Sequence, residues 1–113
     1  MKLAIVLPVL DEAATIAHRL HALAPLVSRG ARVLVVDGGS TDATAQLALP
    51  LVHGVVRSPR GRAAQMNAGA CAAAKLGCDT LLFLHADTRL PPDTDQLIEQ
   101  ALAQGADWGR FDV

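Results

Sequence analysis

Short apolar runs alternate with helix-type segments along the whole chain, and this alternation limits the folds open to it. Residues 3–9 (LAIVLPV), 31–36 (ARVLVV) and 79–85 (DTLLFLH) are nearly continuous apolar runs, as is typical of strands covered on both faces. A weaker strand is predicted over 52–57, and another beginning near Ala106. Strands that alternate with helices predict an α/β fold with a mostly parallel sheet and right-handed crossovers.

The segments between the strands carry helix signals. Asp11 is expected to cap the first helix and Pro25 to end or kink it. Further helices are predicted over 42–49 and 62–76, and a last helix is expected to end at Gly105. The first helix is predicted from four apolar residues at helical spacing, namely Ile16, Leu20, Leu23 and Val27.

Charge and apolar content exclude several classes of protein. A formal net charge of −1 argues against general nucleic-acid binding, which needs a basic surface. No stretch reaches the ~18 apolar residues of a membrane span. The N-terminal apolar run contains Pro8 and has no signal-peptide cleavage site, and Cys71 and Cys78 lack the spacing of a redox or zinc site. We therefore expect a cytoplasmic protein with reduced thiols, and an acceptor or partner at the inner face of the membrane stays open.

Polar or glycine-rich segments follow the predicted strands, at the edge where parallel sheets bind ligands. They are residues 8–12, 37–42, 57–62 and 85–89. Asp37 at a strand end can accept a hydrogen bond from a base or ribose, and Gly38 lets a ligand approach the backbone closely. A capped turn before the next helix explains the same residues equally well. Residues 8–12 contain no glycine, so a nicotinamide or flavin dinucleotide is not expected.

Basic residues surround the start of the helix over 62–76. Arg57, Arg60 and Arg62 stand where free backbone N–H groups and the helix dipole already favour an anion. Arginine also offers paired donors that suit phosphate oxygens. The sequence therefore predicts an anion site here, and a solvated basic loop is the alternative.

A His-x-Asp pair ends the strand over 79–85. His85 and Asp87 are two apart, so both can point to one side and share Mg²⁺ or Mn²⁺ with a diphosphate. We expect Asp37 and Asp87 to line one cleft. In isolation, the pair is better explained by an aspartate that caps a turn and a hydrogen-bonded histidine at a strand end.

Taken together, these segments resemble the family 2 glycosyltransferases, whose fold is of the GT-A type, a Rossmann-like α/β sandwich. A proline and an acidic pair after the first strand are matched by 7–12 (LPVLDE), and a V-D-D-G-S-x-D element by 36–42 (VDGGSTD). A G-x-x-x-A-x-N-x-G helix is matched with one residue of slack by 61–69 (GRAAQMNAG), and a D-x-D metal motif by 85–87 (HAD). A subgroup with D-G-G-S-T-D, R-G-R-A-x-Q-M-N and L-H-A-D elements is more similar still.

The resemblance implies that residues 1–113 are the nucleotide-sugar-binding half of such an enzyme. Asp87, helped by His85, is implied to hold Mn²⁺ or Mg²⁺ on the diphosphate. The second Asp of the D-D-G-S element is Gly38 here, which leaves uracil or guanine undecided, and the first Asp of D-x-D is His85. The residues implied to bind the donor are Pro8, Asp11, Glu12, Asp37, Gly38, Arg60, Arg62 and Asn67.

The implied reaction is transfer of a sugar from a nucleoside diphosphate sugar to a hydroxyl of an unidentified acceptor, with inversion. Family members carry an acceptor-binding half after the metal motif. We expect the general base beyond Val113, with this chain the donor half of a longer protein or a truncated product of one. Two other functions stay open: a non-catalytic nucleotide-binding module, and a sugar-phosphate nucleotidyltransferase. The latter needs a glycine-rich basic loop after the first strand, which 8–12 does not provide.

Overall fold

The sheet is built from parallel strands, and the predicted α/β class is confirmed. The computed structural model describes residues 1–85 and 88–105. The described strands form one sheet in the order β3-β2-β1-β4. The elements are β1 (Leu3–Val9), α1 (Ile16–His21), α2 (Ala24–Ser28), β2 (Arg32–Asp37), α3 (Thr44–Ala48), a 3₁₀ turn (Leu49–Leu51), β3 (Gly54–Arg57), α4 (Arg62–Lys75), β4 (Thr80–Phe83) and α5 (Thr94–Ala103).

The central strands β1 and β2 separate two packed layers, because successive side chains of a strand point to opposite faces. The smaller layer contains Ala4, Leu34 and Ala73 of α4. The larger layer includes Ile98 of α5. Its fully buried members from the central strands and the first two helices are Leu3, Ile5, Leu7, Val9, Ile16, Leu20, Leu23, Leu26, Val33 and Val35.

Helix α4 lies on the opposite face from α1 and α2, because the chain reverses its direction across the sheet. The chain runs outward from β1 to β2 and β3, and then returns to the far side of β1 as β4. A right-handed crossover in the reversed direction places its helix on the other face. At Gly69 this helix approaches the sheet so closely that an added Cβ would lie 2.3 Å from Cγ1 of Val6.

The end or kink expected at Pro25 is observed as a break between α1 and α2. Pro25 cannot donate to the helical ladder, and it occupies the first turn of α2, where a missing N–H costs nothing. Asp11 does not cap α1, which begins at Ile16 after Thr15. The backbone of Asp11 is left-handed, with φ 51°.

Other predicted boundaries shift by a few residues. Helix α3 ends at Ala48, and Pro50 lies inside the 3₁₀ turn that follows. Strand β4 is shorter than the apolar run that predicted it. The strand expected near Ala106 lies outside the described residues. Both cysteines are free thiols. Within residues 1–85 and 88–105, no helix has the length and apolar character needed to cross a membrane.

Candidate functional site

The carboxyl ends of the four parallel strands meet at one edge of the sheet. Val9 at the end of β1 is level with Asp37 at the end of β2, and Asp37 is level with Arg57 at the end of β3. The loops that follow the strands, over residues 10–15, 38–43, 58–61, 84–85 and 88–93, form what we call the strand-end site. The four predicted segments thus follow strands that end at this edge, and their convergence on one cleft stays a prediction. Residues 86 and 87 lie outside the described part of the chain, so the expected proximity of Asp37 and Asp87 stays a prediction.

Asp37 is held by the turn that follows it. Its side chain is 3% exposed, and Oδ1 accepts hydrogen bonds from the backbone N–H groups of Gly39 (3.2 Å) and Ser40 (2.8 Å). Oδ2 has no partner among the described residues. The sequence left two roles open for Asp37, a capped turn and a ligand acceptor. One carboxylate can serve both, because Oδ1 caps the turn and Oδ2 is left for a ligand.

Asp11 joins the loop after β1 to the loop after β2. Its backbone N–H donates to Oγ of Ser40 (2.9 Å), and its Oδ1 accepts from the N–H of Thr41 (2.7 Å). The N–H of Glu12 donates to the hydroxyl oxygen of Thr44 (2.8 Å) in the same way. Asp11, predicted to bind the donor, is therefore engaged in bracing two loops of the site.

Asp42 completes this brace on the side of α3. Its Oδ1 accepts from both the N–H (3.0 Å) and the hydroxyl of Thr44, and its Oδ2 accepts from the N–H of Ala13 (3.2 Å). The hydrogen bond from the Thr44 hydroxyl is the main reason that the pKa of the Asp42 carboxyl lies below its usual value. The carboxylate form is thereby favoured in the folded chain.

Arg19 of α1 connects the loop after β1 with the segment after β4. One guanidinium nitrogen lies 2.5 Å from Oε1 of Glu12, and another donates to the carbonyl of His85 (3.0 Å). The side chains of Arg19 and Glu12 are only 12% and 17% exposed, so this ion pair is largely shielded from water. The backbone of the predicted metal segment is thus fixed to the end of β1.

The predicted anion-binding residues are exposed at this edge. Arg60 and Arg62 are both exposed, and Arg62 is the first residue of α4. The Arg62 guanidinium contacts Nε2 of His85. Asp87, the other predicted metal ligand, lies outside the described residues.

Gln65 is the residue of this site that the sequence did not single out. It lies in the first turn of α4 and is 8% exposed, and its amide donates to the carbonyls of Val9 and Val36, both at 3.0 Å. Asn67, which the resemblance implicated, is exposed two residues further along the helix. A signal was present in the sequence, because Gln65, Gly69 and Ala73 recur every four residues along the buried side of α4.

Gly38 lies beside this amide. Pro8 is half-buried in β1, level with Val36 of β2. Gly38 donates its N–H to the carbonyl of Val9 (3.1 Å). An added Cβ at Gly38 would lie 2.9 Å from both Cδ and Nε2 of Gln65. The glycine is therefore required here by the close approach of the Gln65 amide.

A cleft of about 550 Å³ lies between α1 and the segment after β4. Six of the lining residues belong to the strand-end site, namely Glu12, Thr15, Leu84, Thr88, Arg89 and Leu90, whereas Asp37, Arg60 and Arg62 do not line the cleft. The cleft therefore overlaps the strand-end site at the loops after β1 and β4. The lining residues are Glu12, Thr15, His18, Arg19, Ala22, Leu23, Leu84, Thr88, Arg89 and Leu90.

The sequence matches a family of glycosyltransferases. Residues 4–111 match the family described as Glycosyl transferase family 2. The succinoglycan biosynthesis protein ExoA of Rhizobium meliloti (strain 1021) is 38% identical over 111 residues, covering 91% of this chain and 33% of that protein. The chain thus spans about a third of the length of this relative.

Solved structures show the same fold. Glucosyl-3-phosphoglycerate synthase from Mycobacterium tuberculosis, in complex with Mn²⁺ and uridine-diphosphate-glucose, superimposes with a TM-score of 0.67 and 28% identity. The match covers 92% of this chain and 40% of that one. S. aureus TarS in complex with UDP gives a TM-score of 0.69 at 20% identity, with 92% and 32% coverage. The GT-A type of fold that the resemblance implied is confirmed.

Proposed function

The chain belongs to glycosyl transferase family 2, and on that premise we propose that it binds a nucleoside diphosphate sugar at the strand-end site for transfer of the sugar to an acceptor hydroxyl. The observation that carries the proposal is the convergence of an acceptor oxygen and exposed cations at one sheet edge. Asp37 supplies the oxygen, and Arg60 and Arg62 supply the cations. The predicted cytoplasmic location and a membrane-associated acceptor remain part of this proposal.

The nucleoside end of the donor is assigned to the turn after β2. Oδ1 of Asp37 is fixed by two backbone N–H groups and Oδ2 has no partner among the described residues, so the carboxylate is oriented before a ligand arrives. A preoriented acceptor loses little rotamer entropy when it binds a ribose hydroxyl or an N–H group of the base. Gly38 has no side chain between the turn and the ligand. The brace through Asp11 holds the neighbouring loop in position.

The diphosphate is assigned to the start of α4. Arg62 stands at the first residue of this fourteen-residue helix, and Arg60 precedes it by two residues. Free N–H groups at a helix start, together with guanidinium donors, form a favourable setting for phosphate oxygens. Because both arginines are exposed, neither is needed to fill the core.

We assign a divalent cation to His85, whose imidazole is exposed beside Arg62 at the start of α4. Imidazole nitrogen is a common metal ligand in proteins. His85 with Asp87 would hold the ion, and a diphosphate would draw Arg62 towards its oxygens. When bound, Mn²⁺ or Mg²⁺ would neutralise charge on the diphosphate leaving group. The bound Mn²⁺ of the Mycobacterium tuberculosis enzyme supports this assignment.

In the proposed reaction, the acceptor hydroxyl oxygen forms a bond to the anomeric carbon of the sugar. The bond between that carbon and the diphosphate oxygen breaks, and its electron pair leaves with the nucleoside diphosphate. Attack from the face opposite the leaving group inverts the anomeric centre. The hydroxyl proton goes to a base that we assign to no residue of the described part of the chain. The site residues bind and orient the donor.

Calorimetric titration of the chain with UDP and GDP in the presence of Mn²⁺ tests the proposal. Replacing both Arg60 and Arg62 with Ala should weaken nucleoside diphosphate binding tenfold or more, about 1.4 kcal/mol, with little change in melting temperature. A matched control removes two other cations, by Arg32→Ala and Lys75→Ala. Both residues are exposed and lie away from the carboxyl ends of the strands. Equal losses in both double variants would mean that only net charge matters. No binding of either diphosphate to the wild-type chain would overturn the proposal.

The metal assignment has its own test. Affinity for the nucleoside diphosphate should fall tenfold or more, about 1.4 kcal/mol, when a chelator replaces Mn²⁺. Asp87→Ala should remove most of that difference, and His85→Ala should remove less of it. Equal affinity of the wild-type chain in chelator and in Mn²⁺ would exclude the metal role while leaving the nucleotide site intact.

A further inference from the structure

The amide of Gln65 has a fixed orientation at the floor of the strand-end site. One atom of this amide lies 3.0 Å from the carbonyl oxygens of both Val9 and Val36. Carbonyl oxygens only accept hydrogen bonds, so that atom is the nitrogen, and both of its hydrogens are in use. A flipped amide would set oxygen against two carbonyl oxygens. Gln65 is therefore held with its oxygen turned away from β1 and β2.

This orientation leaves Oε1 as an acceptor with no donor among the described residues. Gln65 is 8% exposed, and Oε1 lies beside Gly38 at the carboxyl end of β2. A ligand that covers Oε1 without an N–H or O–H group leaves it unsatisfied, at a cost of about 1–3 kcal/mol. A ligand with a suitably placed donor avoids that cost.

Oε1 lies beside the turn assigned to the nucleoside. An added Cβ at Gly38 would lie 3.2 Å from Oε1 and 2.9 Å from Cδ, so the amide fills the space that a side chain at this position would enter. The carbonyl of Val9 accepts from both Gly38 N–H (3.1 Å) and Gln65 (3.0 Å), which fixes the turn and the amide to one atom. Where the resemblance expects a carboxylate on residue 38, this chain has an acceptor from residue 65.

We propose that Gln65 determines which base the site accepts, with Oε1 receiving the ring N–H of the donor's base. This inference rests on the proposed function and names the substrate class within it: nucleoside diphosphates whose base carries a ring N–H, which are those of uracil and guanine. Cytosine and adenine present a lone pair at the equivalent ring nitrogen. Facing Oε1 of Gln65, that ring nitrogen has no hydrogen-bond donor, and the two lone pairs repel each other.

Titration calorimetry of the chain with UDP against CDP, and GDP against ADP, measures this selectivity. The wild-type chain should bind the better of UDP and GDP at least tenfold more tightly than its matched partner, about 1.4 kcal/mol. In Gln65→Met, which keeps the length but has no amide, the ratio should fall to about twofold or less. The ratio is the decisive readout, because loss of the hydrogen bonds to Val9 and Val36 alone would weaken both nucleotides equally. Gln100→Met makes the same change at an exposed position of α5 and should leave the ratio unchanged.

A second variant keeps the inference testable if Gln65→Met does not fold. Gly38→Asp combined with Gln65→Ala returns a carboxylate acceptor to residue 38 and removes the amide that it would clash with. Selectivity for the ring N–H should be retained in this double variant. Equal affinity of the wild-type chain for UDP and CDP and for GDP and ADP would overturn the inference and leave the proposed function standing. Failure to bind any of the four would overturn both.

Discussion

Gly69→Ala tests how closely α4 approaches the sheet. An alanine Cβ at this position would lie 2.3 Å from Cγ1 and 3.4 Å from Cβ of Val6, and 3.1 Å from Cγ2 of Val36. Both valines belong to central strands and are fully buried. Val6 has a branched Cβ and few rotamers, so the helix or the strand must shift.

Two effects of opposite sign decide the outcome. Alanine in place of glycine inside a helix stabilises by about 1 kcal/mol. Overpacking of a well-packed core costs about 1–3 kcal/mol, and a contact of 2.3 Å with a strand residue puts this case at the upper end. We expect a net destabilisation of about 2 kcal/mol and a melting temperature lower by roughly 10 °C.

Urea unfolding followed by circular dichroism measures this difference, and an unchanged slope would show that the midpoint alone has moved. Ala74→Gly, at an exposed position of the same helix, calibrates the propensity effect at about 1 kcal/mol. Combining Gly69→Ala with Val6→Ala should destabilise by less than the sum of the single variants, because the shortened side chain makes room for the new methyl. If Gly69→Ala is as stable as the wild type or more so, the close approach of α4 is wrong.

Two further predictions concern the brace around the strand-end site. Arg19→Met should destabilise the chain by about 1–3 kcal/mol, because the shielded Glu12 carboxylate loses its charged partner; an unchanged urea midpoint would contradict this. Because the folded-state pKa of Asp42 is lowered, its stabilisation is present above the unfolded-state pKa and is lost as the pH falls through the lowered value. Asp42→Asn should therefore flatten the acid limb of melting temperature against pH, and parallel profiles for variant and wild type would refute the role of the hydrogen bond from Thr44.

The strands and the site edge could be predicted because they depend on local patterns. The apolar run at β1 is buried on both faces as expected, and the rule on strand ends selects the loops that the structure brings together. The break at the first helix could be predicted because Pro25 cannot make the helical backbone hydrogen bond, although apolar spacing alone would join α1 and α2 into one helix. The spacing of apolar residues shows which side of a helix is buried, whereas a residue without a backbone N–H determines where the helix is interrupted.

The role of Gln65 could not be predicted, because it depends on pairs that are distant in sequence. Its amide bonds to Val9, which is 56 residues away. The alanine-rich sequence around Gln65 predicts a closely packed helix. It does not predict which strand ends lie opposite the first turn of that helix. The same holds for Asp11. Its carboxylate accepts a hydrogen bond from Thr41, which is 30 residues away in the sequence, so the local pattern does not predict this contact.

The strand order also sets the sequence of events as a nascent chain leaves the ribosome. Strands β1, β2 and β3 are neighbours in both sequence and space, so they can pair as soon as residue 57 has emerged. Until α4 is synthesised, the face that bears Ala4, Val6 and Leu34 has no cover. Closure of β4 on β1 waits longer still, since Thr80 pairs with Leu3. A translation pause before residue 62 therefore leaves a bare apolar sheet face, the kind of surface that aggregates or recruits chaperones.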